Sequence, residues 1–277
     1  MLKRTITGLV LFGFALLIIF LSSISPLFFD MTVLLVTAVA VFEVYKAFSK
    51  GGYHAPMIPL IIVVAAIYPM CYFFGVIGLL ITVFTGVLTA FVIFIFDHNK
   101  SLKDFTAAVF MIIYPFSIMS CMFILSKGYG LIPILLALGA ALMSDNFAYF
   151  GGSLLGKKKI FPKISPKKTY AGSISGLFGG AAGGLLVWAL FEVAKFPFHR
   201  IFTFSAEFSM PYIIYMVLGF VLAIVSELGD LAASRIKREV GIKDYGTIFA
   251  SHGGVMDRID SILFVTPVVT AIMLIFF

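Results

Sequence analysis

Nine apolar stretches, each near the length needed to cross a bilayer, occupy most of this chain. A transmembrane helix needs about 20 predominantly apolar residues. The stretches are 5–22, 27–48, 56–73, 75–96, 104–125, 130–151, 173–194, 211–233 and 261–277. Between them no segment is long enough for a soluble domain. The longest polar intervals are 152–172, 195–210 and 234–260. The 277 residues are 61% hydrophobic and 12% charged, where soluble domains are roughly half apolar and about one quarter charged. A water-soluble core of this size cannot bury that excess. The expected fold class is an all-α polytopic membrane protein with about nine transmembrane helices. Residues 1–140 are expected to form scaffold helices with lipid access, and 141–277 a second region that also carries the polar intervals 152–172 and 234–260.

The first stretch has features of a signal peptide, since Lys3 and Arg4 precede an apolar run to Leu21. The following Ser22-Ser23-Ile24-Ser25-Pro26 is a poor cleavage site, so a retained first span is expected. Cys71 and Cys121 both fall inside apolar stretches, where thiols pack as small hydrophobes.

Positive charge sets orientation. Cytoplasmic loops carry the excess of Lys and Arg. With nine spans and the N-terminus inside, 17 of the 20 Lys and Arg fall inside, and Lys127, Lys195 and Arg200 fall outside. The expectation is a multi-pass protein of the cell membrane with a cytoplasmic N-terminus and an external C-terminus. Loops 152–172 and 234–260 then share the cytoplasmic face. Net charge is +7, but it is concentrated in these loops, so no nucleic-acid partner is expected.

The run Ser234–Asp260 is the longest polar stretch. It holds Arg235, Lys237, Arg238, Lys243 and Arg258 among Asp244, Asp257 and Asp260. Acids also approach it from within the membrane. Asp145, Glu227 and Asp230 lie near the cytoplasmic ends of expected spans, and ionisable groups there usually mark function. Glu227 and Asp230 are three residues apart and share a helix face, which Ser234 and Lys237 continue. Asp257 and Asp260 repeat the spacing. Carboxylates of this kind suit Mg²⁺, with or without a second cation, and the neighbouring Lys and Arg suit phosphates. Mutual neutralisation as ion pairs is the simpler alternative. Glu43 and Glu192 read as helix-end or packing groups, and Asp97 and Asp104 as a solvated loop.

The other loop places Lys157, Lys158, Lys159, Lys163, Lys167 and Lys168 beside the membrane. Lysines there can bind anionic headgroups nonspecifically. Lys167-Lys168-Thr169 after Ser165-Pro166 looks more specific. Gly151 to Lys157 matches G-x-x-x-x-G-K, but Lys158 replaces the required hydroxyl residue and the motif ends a helix, so a P-loop is rejected. His252-Gly253-Gly254 permits close backbone approach to a phosphate. It offers neither a zinc pattern nor a Ser-His-Asp site. Gly172, Gly176, Gly180 and Gly184 recur every four residues, with Gly179 and Gly183 beside them. Such a stripe serves either tight packing inside the chain or a homodimer interface.

Across Ser234, Ile236, Lys237, Arg238, Lys243, Asp244, Gly246, Phe249, His252, Gly253, Gly254, Val255, Asp257, Arg258, Ile259 and Asp260, the chain resembles the phosphatidate cytidylyltransferase (CDP-diacylglycerol synthase) family. Asp145–Phe150 and Pro162–Thr169 resemble two further stretches of that family. Ala250 and Ala171 depart from it, standing where Pro or Gly and Glu are usual. The resemblance implies attack of the phosphatidate phosphate on the α-phosphorus of CTP, giving CDP-diacylglycerol and diphosphate. It implies Mg²⁺ on Asp230 and Asp257, supported by Asp260, Asp145 and Glu227. Lys237, Arg238, Lys243 and Arg258 would hold the phosphates. Lys167, Lys168 and Thr169 would close over the nucleotide, with Ser234, Asp244, His252, Gly253 and Gly254 contributing to substrate binding. A CTP-dependent isoprenoid-alcohol kinase or an ether-lipid cytidylyltransferase would need similar chemistry. A transporter would instead call for internal repeats and a site near the midplane, and no repeat is present.

Overall fold

The computed structural model describes residues 13–14, 17–22, 24–193, 211–249 and 253–277. Most of the expected first span and all of 195–210 lie outside these. So do Lys3, Arg4, Lys195, Arg200, Ala250, Ser251 and His252.

Seven described helices are long and apolar enough to cross a membrane: α1 (Pro26–Lys50), α2 (Ile58–Phe96), α3 (Leu102–Gly128), α4 (Leu131–Leu155), α5 (Tyr170–Val193), α6 (Tyr212–Glu239) and α7 (Met256–Phe276). The protein is a multi-pass membrane protein. Large apolar side chains such as Phe73, Phe84, Leu88 and Ile95 are exposed, as lipid-facing surface requires.

The 39 residues of α2 do not form one rod. Gly75 adopts φ 55°, ψ −129°, outside the helical region. A Cβ on Gly78 would strike the carbonyl of Met70, and one on Gly86 would strike the side chain of Val63. Residues eight and 23 apart can meet that way only if the chain doubles back, so α2 is an antiparallel helical hairpin. Its two arms correspond to the expected stretches 56–73 and 75–96. Glycine at 75 supplies the positive φ that a side chain would resist.

The chain divides into two compact units. One comprises Met1–Gly128 with Lys237–Ile259, and the other Tyr129–Ile236 with Asp260–Phe277. The first has its core where α1, α2 and α3 pack through Ala40, Val44, Val63, Ile67, Ala90, Ala108 and Met111, all fully buried. Ser25 caps α1, with its hydroxyl accepting from the Leu27 amide, and Pro26 opens the helix. Ser101 and Asp104 form a capping box on α3. Asp104, expected in a solvated loop, is buried and also accepts from the His54 amide.

The second unit is built on α4, α5 and α6. The glycine stripe is buried on both flanks of α5. A Cβ on Gly179 or Gly183 would meet Met143, Phe147 or Gly139 of α4, and one on Gly180 or Gly184 would meet Gly219, Ala223 or Tyr215 of α6. The stripe is thus taken up by packing within the chain. The interval 152–172 is more ordered than a loop. Helix α4 runs to Leu155, and β1 (Lys159–Phe161) pairs antiparallel with β2 (Ser165–Thr169) before α5 begins.

Candidate active site

The polar run is half helical. Helix α6 extends through Ser234, Lys237 and Arg238 to Glu239, and α7 starts at Met256, which brings Asp257 and Asp260 into its first turns. Among the described residues between these helices, 240–249 and 253–255 are irregular. Gly241 at φ 73° breaks α6, and the Arg238 guanidinium donates to the Ile242 carbonyl at 3.3 Å.

In the first unit, Asp257 is the centre of a dense polar cluster. Its Oδ1 accepts from the Lys237 ammonium at 2.8 Å. Its Oδ2 accepts from the Tyr245 amide at 2.8 Å and the Gly254 amide at 3.0 Å. Lys237 also lies 5.4 Å from the centre of the Tyr245 ring. The pair is almost buried, with 11% and 4% side-chain exposure. Gly253 has φ 78°, and its carbonyl accepts from the Phe249 amide at 3.0 Å, closing the loop on itself. Lys243, Asp244, Arg238 and Arg258 are exposed around this cluster's stretch of chain.

Glu43 on α1 enters the same cluster. Its carboxylate accepts from the amides of Val255 at 3.1 Å and Met256 at 2.8 Å. These are among the amides that a helix N-terminus leaves unpaired, and an acid there also complements the helix dipole. Glu43 is therefore neither a helix-end group of its own helix nor a packing group, as the sequence suggested. An acid inside the apolar stretch 27–48 was the available signal.

In the second unit, acids gather around Lys168. Its ammonium lies 2.8 Å from Asp230 Oδ2 and 3.4 Å from the Glu227 carbonyl. The Ser234 hydroxyl reaches Asp230 Oδ1 at 3.4 Å. Asp145 Oδ2 accepts from the Ser261 hydroxyl at 3.0 Å, and Asp145 is within electrostatic range of Asp230, Lys168 and Glu227. Among the described residues, Glu227 Oε1 is buried without a hydrogen-bond partner, as is the Ser144 hydroxyl. Both face Gly176, where a Cβ would crowd them. Asp260 is buried and its Oδ1 accepts from the Ser261 amide at 2.9 Å.

Thr169 is buried and caps α5, its hydroxyl accepting from the Gly172 amide at 3.2 Å. Lys167 beside it is exposed. The resemblance's nucleotide-closing trio therefore comprises one cap, one cation held against acids and one exposed cation.

The sequence matches the cytidylyltransferase family over residues 2–276. The chain belongs to that family. It is also similar to proteins named phosphatidate cytidylyltransferase. Identity is 37% over 139 residues to that of Bacillus subtilis (strain 168), covering 50% of this chain and 46% of the relative. It is 37% over 135 residues to that of Brucella abortus biovar 1 (strain 9-941), covering 49% and 44%. It is 35% over 152 residues to that of Staphylococcus haemolyticus (strain JCSC1435), covering 55% and 53%. The chain spans about half the length of the curated relatives it matches. Both polar clusters of this family member use residues of the signature: Lys237, Gly254 and Asp257 in one, Ser234 and Asp260 in the other.

The donor set fits a divalent metal. Carboxylate oxygens are hard ligands, and Glu227, whose Oε1 has no hydrogen-bond partner among the described residues, lies within electrostatic range of Asp230 and Asp145. Among the described residues, no three His, Cys, Asp or Glu side chains are already drawn together at metal-binding range.

Proposed function

We propose that this chain is a phosphatidate cytidylyltransferase, converting CTP and phosphatidate to CDP-diacylglycerol and diphosphate on the cytoplasmic face of the cell membrane. The observation that carries the reading is the pairing of acids with lysines in the two polar clusters, Lys168 on Asp230 and Lys237 on Asp257, each at 2.8 Å, in a chain of the cytidylyltransferase family. The names of the relatives point to the substrates.

The chemistry asks little of a general base. A phosphate monoester has a second pKa near ~6, so it is largely ionised at neutral pH. The enzyme must align two anions and neutralise charge as the α-phosphorus changes partners. Lys237, with Arg238, Lys243 and Arg258, holds phosphate oxygens. Lys168 and Lys167 take the nucleotide's phosphates, and Thr169 fixes the strand that carries them. The backbone of Gly253 and Gly254, with His252, gives phosphate close approach to the chain, and Ser234 and Asp244 complete substrate contacts.

Mg²⁺ is the proposed cofactor. Asp145, Glu227, Asp230 and Asp260 in the one cluster, and Asp257 in the other, are its candidate ligands, and a second cation is compatible with that number of acids. When bound, it would neutralise phosphate charge and favour departure of diphosphate. The cytoplasmic face follows from the Lys and Arg distribution and from CTP being water-soluble while phosphatidate is held in the leaflet.

The test is incubation of the purified full chain with CTP, Mg²⁺ and phosphatidate. Equimolar diphosphate and CDP-diacylglycerol are expected. In a parallel incubation with an isoprenoid alcohol in place of phosphatidate, release of CDP with the phosphorylated alcohol would instead identify a kinase, and turnover unaffected by a chelator would remove the metal.

A further inference from the structure

We infer that Glu43 is a positioning residue for the signature loop, acting through Asp257 and Lys237. This rests on the proposed activity for its kinetic meaning, although the contacts stand without it. Glu43 is 5% exposed on α1. Both of its oxygens are engaged, with the amides of Val255 and Met256. A Cβ on Gly246 or on Gly254 would collide with the same carboxylate. The acid is thus seated between the two ends of the 246–254 segment, and both ends need glycine to admit it.

Asp257 holds the same loop through a different set of donors, the amides of Tyr245 and Gly254. Each acid grips one residue next to a residue the other grips. Gly254 is crowded by Glu43 while its amide donates to Asp257, and Val255 and Met256, which donate to Glu43, immediately precede Asp257. If the Glu43 grip fails, the first turn of α7 loses its anchor, and the Asp257 carboxylate and the Lys237 ammonium on it lose their fixed places. Glu43 need touch no substrate for this. It sets where the reacting groups are held.

Glu43→Gln keeps size and shape but presents an amide N–H₂ to one of two backbone donors. A buried donor is then unpaired, so the apparent KM for CTP is expected to rise roughly tenfold or more. Val44→Ala is the control. Val44 neighbours Glu43 and is fully buried, so its truncation loosens the same helix while leaving the Glu43 carboxylate in place.

The full chain and both variants are compared by initial rates against CTP and by amide hydrogen exchange of residues 253–257 without substrates. Glu43→Gln should raise the KM and lose protection at Val255 and Met256. Val44→Ala should lower thermal stability while leaving both readings unchanged. Wild-type KM or wild-type protection in Glu43→Gln would overturn the inference, as would an equal KM rise in Val44→Ala. Should Glu43→Gln not fold, Gly246→Ala, which crowds the same carboxylate, is read the same way. A wild-type protein that makes no liponucleotide would sink the proposed activity, and the exchange measurement would still test the clamp.

Discussion

The Lys237 ammonium lies 2.8 Å from Asp257 Oδ1, while the other oxygen of that carboxylate receives two backbone amides. One carboxylate therefore joins the end of α6, the irregular loop and the start of α7. In a nearly buried pair, the attraction offsets a desolvation cost, and removing one partner strands the other.

Breaking that pair from either side should be costly. Lys237→Met and Asp257→Asn are each expected to destabilise the protein by about 3–5 kcal/mol. The double substitution should lose less than the sum, with a coupling of about 0.5–3 kcal/mol. Denaturation of the three variants in detergent checks this. Strict additivity would mean that the two groups act independently.

Lys168 and Asp230 should behave differently. Their side chains are 20% and 30% exposed, so solvent screens the pair and its contribution to stability is expected at about 0–1 kcal/mol. Lys168→Met should leave thermal stability nearly unchanged and raise the KM for CTP. A large loss of stability with normal kinetics would make the contact structural.

The seat of Glu43 predicts non-additivity of another kind. Gly254→Ala places a methyl group against that carboxylate, and overpacking of this sort costs about 1–3 kcal/mol. In a Glu43→Ala background the methyl has room. The added cost of Gly254→Ala should then shrink markedly in thermal denaturation. An unchanged cost would place the clash elsewhere.

Thr169 separates capping from substrate contact. Thr169→Val removes the hydroxyl that accepts from Gly172 and should cost about 1 kcal/mol, as other helix caps do. Thr169→Ser should restore it. If Thr169→Val instead keeps its stability and loses affinity for CTP, the hydroxyl belongs to the nucleotide.

The spans were legible because lipid demands long apolar runs, and the signature because its spacing runs along one stretch of chain. Helical spacing also put Glu227, Asp230 and Ser234 on one face, and the structure gathers Glu227, Asp230 and Asp145 around Lys168. The roles of Glu43 and Thr169 were not legible. Glu43 finds its partners 212 and 213 positions away, and no local pattern encodes such a pairing. The cap that Thr169 provides does not show in the sequence, because a hydroxyl after two lysines suits phosphate equally well. The short β1–β2 hairpin was hidden by its lysines, which read as a solvated loop at any backbone conformation. The break in α2 falls at Gly75, the first residue of the expected stretch 75–96.

The distance between Glu43 and its amide partners also has a consequence in time. The acid is translated more than 200 residues before Val255 and Met256. At about 5–20 residues per second, that separation is roughly 10–40 s of synthesis. For that interval, α1 carries a carboxylate whose final donors do not yet exist. The newly made helix must keep it near water or lend it another donor until the start of α7 supplies the amides of Val255 and Met256.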